Sequence, residues 1–270
     1  MPTPSEMATR LPGETLDSTK MPAHWLFARL GKRVLRPGGR ELTELLLRNL
    51  DINAADRVVE MAPGLGATTR LLIQPNPKTY TGIERDPDAV AIVNTLLVQP
   101  EHECRAGTAQ ATGLPHDSAD IVFGEAYLSM QPESTKQQII SEAFRILDSG
   151  GRFSLHELAL HPDTMPEDQQ EELRSDFAKA LHVGARPLTI ASWKTLLENA
   201  GFEIEFETTV PFRLLHPQRV IADEGWARSL RIFAVAITQP AIRRRMGEIR
   251  ECFKRHEHEL CAVGIIARKP

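Results

Sequence analysis

RVVEMAPGLGATTR, residues Arg57 to Arg70, is the stretch from which the fold is read. Val58 and Val59 are β-branched and suit a buried parallel strand, which ends on the acid Glu60 and breaks into a glycine-rich turn before a helix. Gly64 and Gly66 permit backbone conformations and close approaches that a Cβ blocks, so a ligand can lie against bare peptide. Glu60 argues against a phosphate cradle, because a carboxylate repels phosphate but accepts hydrogen bonds from an ammonium group. The expected guest carries positive charge. The next strand, read from KTYTGIERD, ends on Glu84, twenty residues after Gly64. In nucleotide-binding α/β folds that position takes ribose hydroxyls.

Working outward, RELTELLLRNLDINAADRVVE reads as a leading helix and first strand, and AGTAQATGLPHDSADIVFGEAYL as a third loop and fourth strand. FRILDSGGRFSLHE reads as a helix, a Gly-Gly turn and a fifth strand; LLENAGFEIEFE follows as a late helix and sixth strand. This series resembles the class I S-adenosylmethionine (SAM) dependent methyltransferases, and within them the small-molecule group that includes ubiquinone and menaquinone C-methyltransferases. The likeness covers residues 40 to 210 and a final strand near Leu260 to Ala267. One departure stands in the first motif, where Ala62 replaces the pattern's first glycine.

The resemblance implies an α/β, Rossmann-like, seven-stranded, mostly parallel sheet with a C-terminal antiparallel strand. It implies SAM as cofactor, with Glu60 near the methionine amino group, Ala62, Gly64 and Gly66 forming the cradle, Glu84 bridging the ribose hydroxyls beside Arg85, and adenine near Thr108 and Ala109. Thr108 stands where the family carries an acid, and it also reads as a plain turn residue. Glu125, just past the fourth strand, stands where related enzymes present cofactor or substrate; a solvated acid at a loop start is the other reading.

Alternation of strands and helices at this spacing means a parallel sheet wrapped by helices, with strands expected near 57–61, 79–84, 102–106, 120–124, 152–157, 202–209 and 260–267. An N-terminal tail to about Lys20, a lid helix near His24 to Leu30 and a Pro37-Gly38-Gly39 break make residues 1–39 a leader to a domain at 40–270. Two helical insertions, about 162–185 and 211–258, depart from the minimal fold, and both are placed to roof the crevice at the strands' carboxyl ends. In the second, Trp226, Leu230, Phe233, Ala234 and Ile237 form one apolar stripe and Ile242, Met246, Ile249 and Phe253 another. Each reads as core packing or as a wall around substrate.

Net charge is −4, yet from Val210 onward Lys and Arg outnumber Asp and Glu by 12 to 6. The densest basic run, Arg243 to Arg245, reads as a solvated helix face or as a site for an anionic substrate, nucleic acid or membrane. With aromatic residues at 6% and none interleaved there, no base-stacking platform forms and no nucleic-acid partner is expected. No apolar run approaches the roughly 20 residues that span a bilayer. The opening residues lack a signal peptide's basic and apolar regions, which gives an expectation of a cytoplasmic protein, monomer or homodimer, without stable membrane insertion. Cys104, Cys252 and Cys261 are odd in number and scattered, favouring reduced thiols. The cluster His256, His258, Glu259 and Cys261 reads as charged decoration at a helix-to-strand junction, and no metal is expected.

The function expected is in-line methyl transfer to oxygen or carbon of a small, hydrophobic acceptor, where positioning supplies several kcal/mol of the barrier. If the acceptor must lose a proton, His156, His161 and Tyr127 are the candidate bases, with His24 and His182 behind them. Two competing readings are a SAM-binding protein without catalysis and a nicotinamide-dependent oxidoreductase. The second is opposed by Glu60 within the motif and by Thr69 where a dinucleotide fingerprint has its third glycine.

Overall fold

The computed structural model describes residues 17, 21–32, 36–212, 214 and 216–270. The expected tail to Lys20 lies, but for Asp17, outside the described residues. Helices α1 (Ala23–Arg29) and α2 (Gly39–Leu50) lead into the alternating pattern. It runs β1 (Arg57–Met61), α3 (Thr69–Leu72), β2 (Thr79–Glu84), α4 (Pro87–Asn94), β3 (His102–Ala106), β4 (Ala119–Glu125), α5 (Glu133–Ile146) and β5 (Leu147–Leu160). Then come α6 (Glu167–Leu181), β6 (Leu188–Thr189), α7 (Ile190–Asn199), β7 (Glu203–Pro211), α8 (Pro217–Glu224), α9 (Trp226–Thr238), α10 (Pro240–Arg255) and β8 (Leu260–Arg268).

The strands form one sheet in the order β3-β2-β1-β4-β5-β8-β7, with β6 paired to β5 off that path. β8 runs antiparallel to both β5 and β7, and the pairs among β1 to β6 are parallel. The expected seven strands are present; the eighth, β6, is a two-residue addition. Alternation along the strands assigns the two faces. Val59, Met61 and Val122 enter a core with Ile139, Phe153 and Trp193, while Val58, Ile121 and Phe123 enter another with Leu42, Leu46 and Tyr80. Each fully buried aliphatic or aromatic side chain stabilises the fold by roughly 1.5–3 kcal/mol relative to exposure.

β5 is longer than its expected 152–157. Its last pair with β4 is Glu125 with His156, and the strand continues through Leu160, about 13 Å farther. Leu158 and Leu160 on that extension seed a third core with Leu26 and Phe27 of α1, Leu173 and Phe177 of α6, Val220 of α8, Ile232 of α9, and Ile242 and Ile249 of α10. The N-terminal helix and both insertions therefore condense into one apolar cap at the carboxyl end of the sheet.

Two expectations about that cap are corrected. In α9 the face that packs inward carries Ser229, Ile232 and Val235, while Trp226 and Leu230 are 71% and 64% exposed, Ala234 is exposed and Phe233 is half-buried. Ile237's side chain lies outside the described atoms. Apolar residues occupy most of the circumference of α9, so periodicity alone selects no inward side. In α10, Arg243 and Arg244 are solvated but Arg245 is buried, its guanidinium held by His182 and by the Met21 carbonyl. Ile242, Met246, Ile249 and Phe253 pack into the cap as core.

Candidate active site

The crevice begins where β1 stops. Ala62 donates its amide to the Ile83 carbonyl at 2.9 Å, tying the turn to the neighbouring strand. Ala62, Gly64 and Gly66 all have positive φ, +57°, +56° and +72°. A left-handed L-residue costs about 1–2 kcal/mol, so Ala62 sits where glycine is the unstrained choice. A Cβ at Gly64 would project into open space, whereas one at Gly66 would meet Leu96 at 2.5 Å. Gly66 thus serves packing, and Gly64 leaves bare backbone facing the crevice.

Glu60 and Glu84 project from the same face of adjacent strands, since Glu60 pairs with Gly82, two residues before Glu84. Their Cα atoms are about 8 Å apart on ideal strand spacing. Glu60 is buried among the residues of its own face: Oε2 accepts from Thr69 Oγ1 at 2.6 Å and from Tyr80 Oη at 2.5 Å. Oε1 takes no partner among the described residues, yet it is not among the buried unpaired atoms, so it opens toward the crevice. Burial pushes the carboxyl up to about 7, against the lowering effect of the Thr69 and Tyr80 hydrogen bonds. Glu84 has another role in the chain: Oε2 accepts from the Gly64 amide at 3.0 Å, and Oε1 from the amides of Arg85 and Asp86 at 2.8 and 3.1 Å. It holds the glycine turn against β2 and keeps further acceptor lone pairs.

The loop after β3 is tied to the same level, its Gly107 amide donating to the Glu84 carbonyl at 2.9 Å. Thr108 and Ala109 therefore lie beside the crevice. Thr108 is exposed in a tight turn closed by the Ala111 amide, and its hydroxyl makes no hydrogen bond among the described residues; Ala109 packs on the core beneath. On the other side, α1 brings His24 near the exposed Arg85, and burial together with that positive charge lowers the imidazole to about 4.

Glu125, at the tip of β4, is no solvated loop acid. Its Oε1 accepts from Thr43 Oγ1 at 2.5 Å and from His156 Nδ1 at 2.9 Å; its Oε2 accepts from Thr68 Oγ1 at 2.5 Å and pairs with Arg36 at 3.0 Å. Burial raises the carboxyl, but Arg36, His156 and Thr43 together outweigh it and hold the group near 2. This network binds the segment before α2, the turn after Gly66 and the ends of β4 and β5 into one polar floor.

That floor removes two of the candidate bases. The Gly38 amide donates to His156 Nε2 at 3.0 Å, which places the imidazole's proton on Nδ1, toward Glu125; both nitrogens are engaged and the ring is fully buried. Tyr127 is also buried, its hydroxyl 3.3 Å from Met61 Sδ, and burial raises it well above the ordinary phenol range. His161 is exposed five residues beyond His156, about 16 Å along the strand direction. His182 is taken up by Arg245. None of these four offers a free imidazole or phenol to the crevice.

Among the described residues, no group of three or more His, Cys, Asp or Glu could hold a metal ion. His256 instead pairs with Glu259 at 2.6 Å and Asp176 at 3.2 Å, pinning α10 to α6. All three cysteines are free thiols. Four residues of the site lay outside the reading of the sequence: Arg36, Thr43, Thr68 and Glu157. The last is fully buried and collects the Tyr127, Leu128 and Ser129 amides, shaping the loop beyond β4. The only local signal was the Pro37-Gly38-Gly39 break, which lets the chain turn Arg36 inward.

Residues 59–155, which span β1 to the middle of β5, match a family described as a methyltransferase domain. The chain is 29% identical over 250 residues to an uncharacterised protein of Haemophilus influenzae, an alignment covering 91% of this chain and 97% of that one. It is 26% identical over 171 residues to the 27-O-demethylrifamycin SV methyltransferase of Amycolatopsis mediterranei, covering 61% of this chain and 60% of the relative. The crystal structure of the [4+2]-cyclase SpnF shares the fold with a TM-score of 0.69 at 18% identity, over 91% of this chain and 93% of that one. No helix among the described residues is long and apolar enough to cross a membrane. The residues at the crevice suit SAM: a free carboxylate oxygen for a cation, open backbone at Gly64, and unfilled acceptors beside it. The chain carries a SAM-dependent methyltransferase domain on the class I fold, and SAM is its cofactor.

Proposed function

We propose that this enzyme methylates a small, apolar metabolite at oxygen or carbon, and that its acceptor binds between the cofactor crevice and the cap. The observation that carries the reading is the cap itself. An apolar core assembled from α1, α6 and α8 to α10 stands on the extension of β5, and α1 reaches across to Arg85 at the tip of β2. Helix α1 and the insertions at 162–185 and 211–258 thus act as one lid on a domain at 40–270.

In this reading Glu60 Oε1 takes the methionine amino group, and the backbone of Ala62 to Gly66 lies along the cofactor. Glu84, already turned to the crevice, accepts from the ribose hydroxyls, with Arg85 beside it and Thr108 and Ala109 at the adenine. Glu125 acts through Thr68 and Arg36, holding the turn rather than touching the reacting atoms. When bound, SAM supplies an electrophilic methyl on a sulfonium. The protein's own contribution is placement and exclusion of water, because the best-placed histidine and tyrosine are locked in structural bonds. This suits an acceptor that ionises readily by itself, a phenol or an activated ring carbon.

The test is transfer from methyl-labelled SAM to a cell extract split into organic and aqueous phases. Label in a small molecule of the organic phase is the expected result. Label confined to protein or RNA, or no turnover with either phase, contradicts the proposal.

A further inference from the structure

We infer that the outer face of α9, with the start of α10, is a docking surface for anionic lipid bilayers, on which the enzyme adsorbs without inserting. Trp226 and Leu230, one helical turn apart, are 71% and 64% exposed, with Ala234 continuing the face and Phe233 half-buried beside it. With Val98 they are the large apolar side chains that stand out most among the described residues, and Val98 lies elsewhere, after α4. The inward side of the same helix is satisfied by Ile232 and Val235 in the cap core, so the outer residues are not needed for packing.

Charge selects the occupant. From Gly225 to Gly247 the chain carries five arginines and no acidic residue, in a protein of net charge −4. Arg243 and Arg244, in the first turn of α10 directly after α9, are exposed. The nearest preceding acids, Asp223 and Glu224, are buried, and the Glu224 carboxylate is paired with Arg228 at 3.1 Å. A helix about 20 Å long with tryptophan and leucine on one side, followed by the exposed Arg243 and Arg244, matches the interfacial plane of a bilayer: apolar side chains enter the headgroup boundary and the guanidinium groups meet lipid phosphates. A second protein chain would call for acids of its own opposite the arginines, and a copy of this chain presents its own arginines there instead. RNA would leave the tryptophan and leucine without use, since no aromatic series accompanies them for base stacking.

The test uses the full-length protein and sedimentation with phosphatidylcholine vesicles, either pure or containing phosphatidylglycerol. Binding is expected to the phosphatidylglycerol vesicles, weakening as salt is raised, and little to the pure vesicles. Trp226→Ser with Leu230→Ser, and separately Arg243→Glu with Arg244→Glu, should each lower the partition coefficient at least about tenfold. S-adenosylhomocysteine affinity, measured by calorimetry on each variant, should stay at the wild-type value and so report an intact fold. Absence of wild-type binding to phosphatidylglycerol vesicles at low salt overturns the inference, as does equal binding by both variants. A wild-type dimer that the Trp226 and Leu230 changes dissociate, without vesicle binding, reassigns the face to self-association. Binding of single-stranded RNA without binding of vesicles reassigns it to nucleic acid. Either of these outcomes leaves the methyltransferase assignment intact.

Discussion

Glu60 gives the sharpest quantitative test of the cofactor site, because burial holds its carboxyl at about 7 in the ligand-free chain. The unfolded value is near 4.5, so between these limits the folded protein binds more protons than the unfolded chain. Stability of the ligand-free enzyme therefore falls as pH rises from about 4.5 to 7 and levels off above. An ammonium group placed at Oε1 favours the carboxylate and draws the pKa down, so cofactor binding expels a proton. About one molecule in eleven has Glu60 ionised at pH 6 and about ten in eleven at pH 8. Affinity should thus rise about tenfold across that interval, about 1.4 kcal/mol. Calorimetric titration with S-adenosylhomocysteine, in buffers of different ionisation enthalpy, reads both the affinity and the proton released. Glu60→Gln should bind more weakly and without this pH dependence. Affinity that is flat with pH in the wild type, or a Glu60→Gln variant that titrates like it, refutes the placement of the amino group at Glu60.

Glu84→Ala should weaken S-adenosylhomocysteine binding by about 1–3 kcal/mol, because it removes charge-assisted bonds and frees the Gly64 amide; calorimetry checks this, and unchanged affinity contradicts it. Glu125→Ala leaves the Arg36 guanidinium buried without its partner, so urea unfolding should show a loss of about 3–5 kcal/mol. In the wild type the Glu125 carboxyl is held at about 2, below its unfolded value near 4.5; its contribution is complete above pH 4.5 and is lost as pH falls toward 2, a component of acid unfolding that Glu125→Gln should lack. Ala62→Gly relieves the +57° backbone at some entropic cost in the unfolded chain, for a net gain of up to about 1 kcal/mol in thermal or urea unfolding.

The sheet was legible because its signals are local. Apolar β-branched runs, the Gly64 and Gly66 turn and the acids at the tips of β1 and β2 lie within short windows, and the expected bounds of β1, β2 and β3 coincide with those observed. The polar floor was not, because it joins residues far apart in sequence: Thr43 reaches Glu125 across 82 positions, and Gly38 reaches His156 across 118. No periodicity marks such a contact, so His156 read as a candidate base or a structural residue, with nothing local to show that it is a buried brace. The extension of β5 beyond His156 was also hidden. Its partners are β6 and β8, which lie far along the chain: Leu160 pairs with Thr189 and with Leu260. In α9, hydrophobic residues on both sides of the helix left its inward face undetermined.

The account's central claim is that the carboxylates at the tips of β1 and β2 hold the two ends of the cofactor's aminoacyl and ribose portion over the Gly64 backbone. A crystal structure with S-adenosylhomocysteine tests it most directly. It should place the amino group within hydrogen-bond distance of Glu60 Oε1 and the ribose hydroxyls on Glu84. A ligand bound elsewhere, or either carboxylate turned away from it, contradicts the claim.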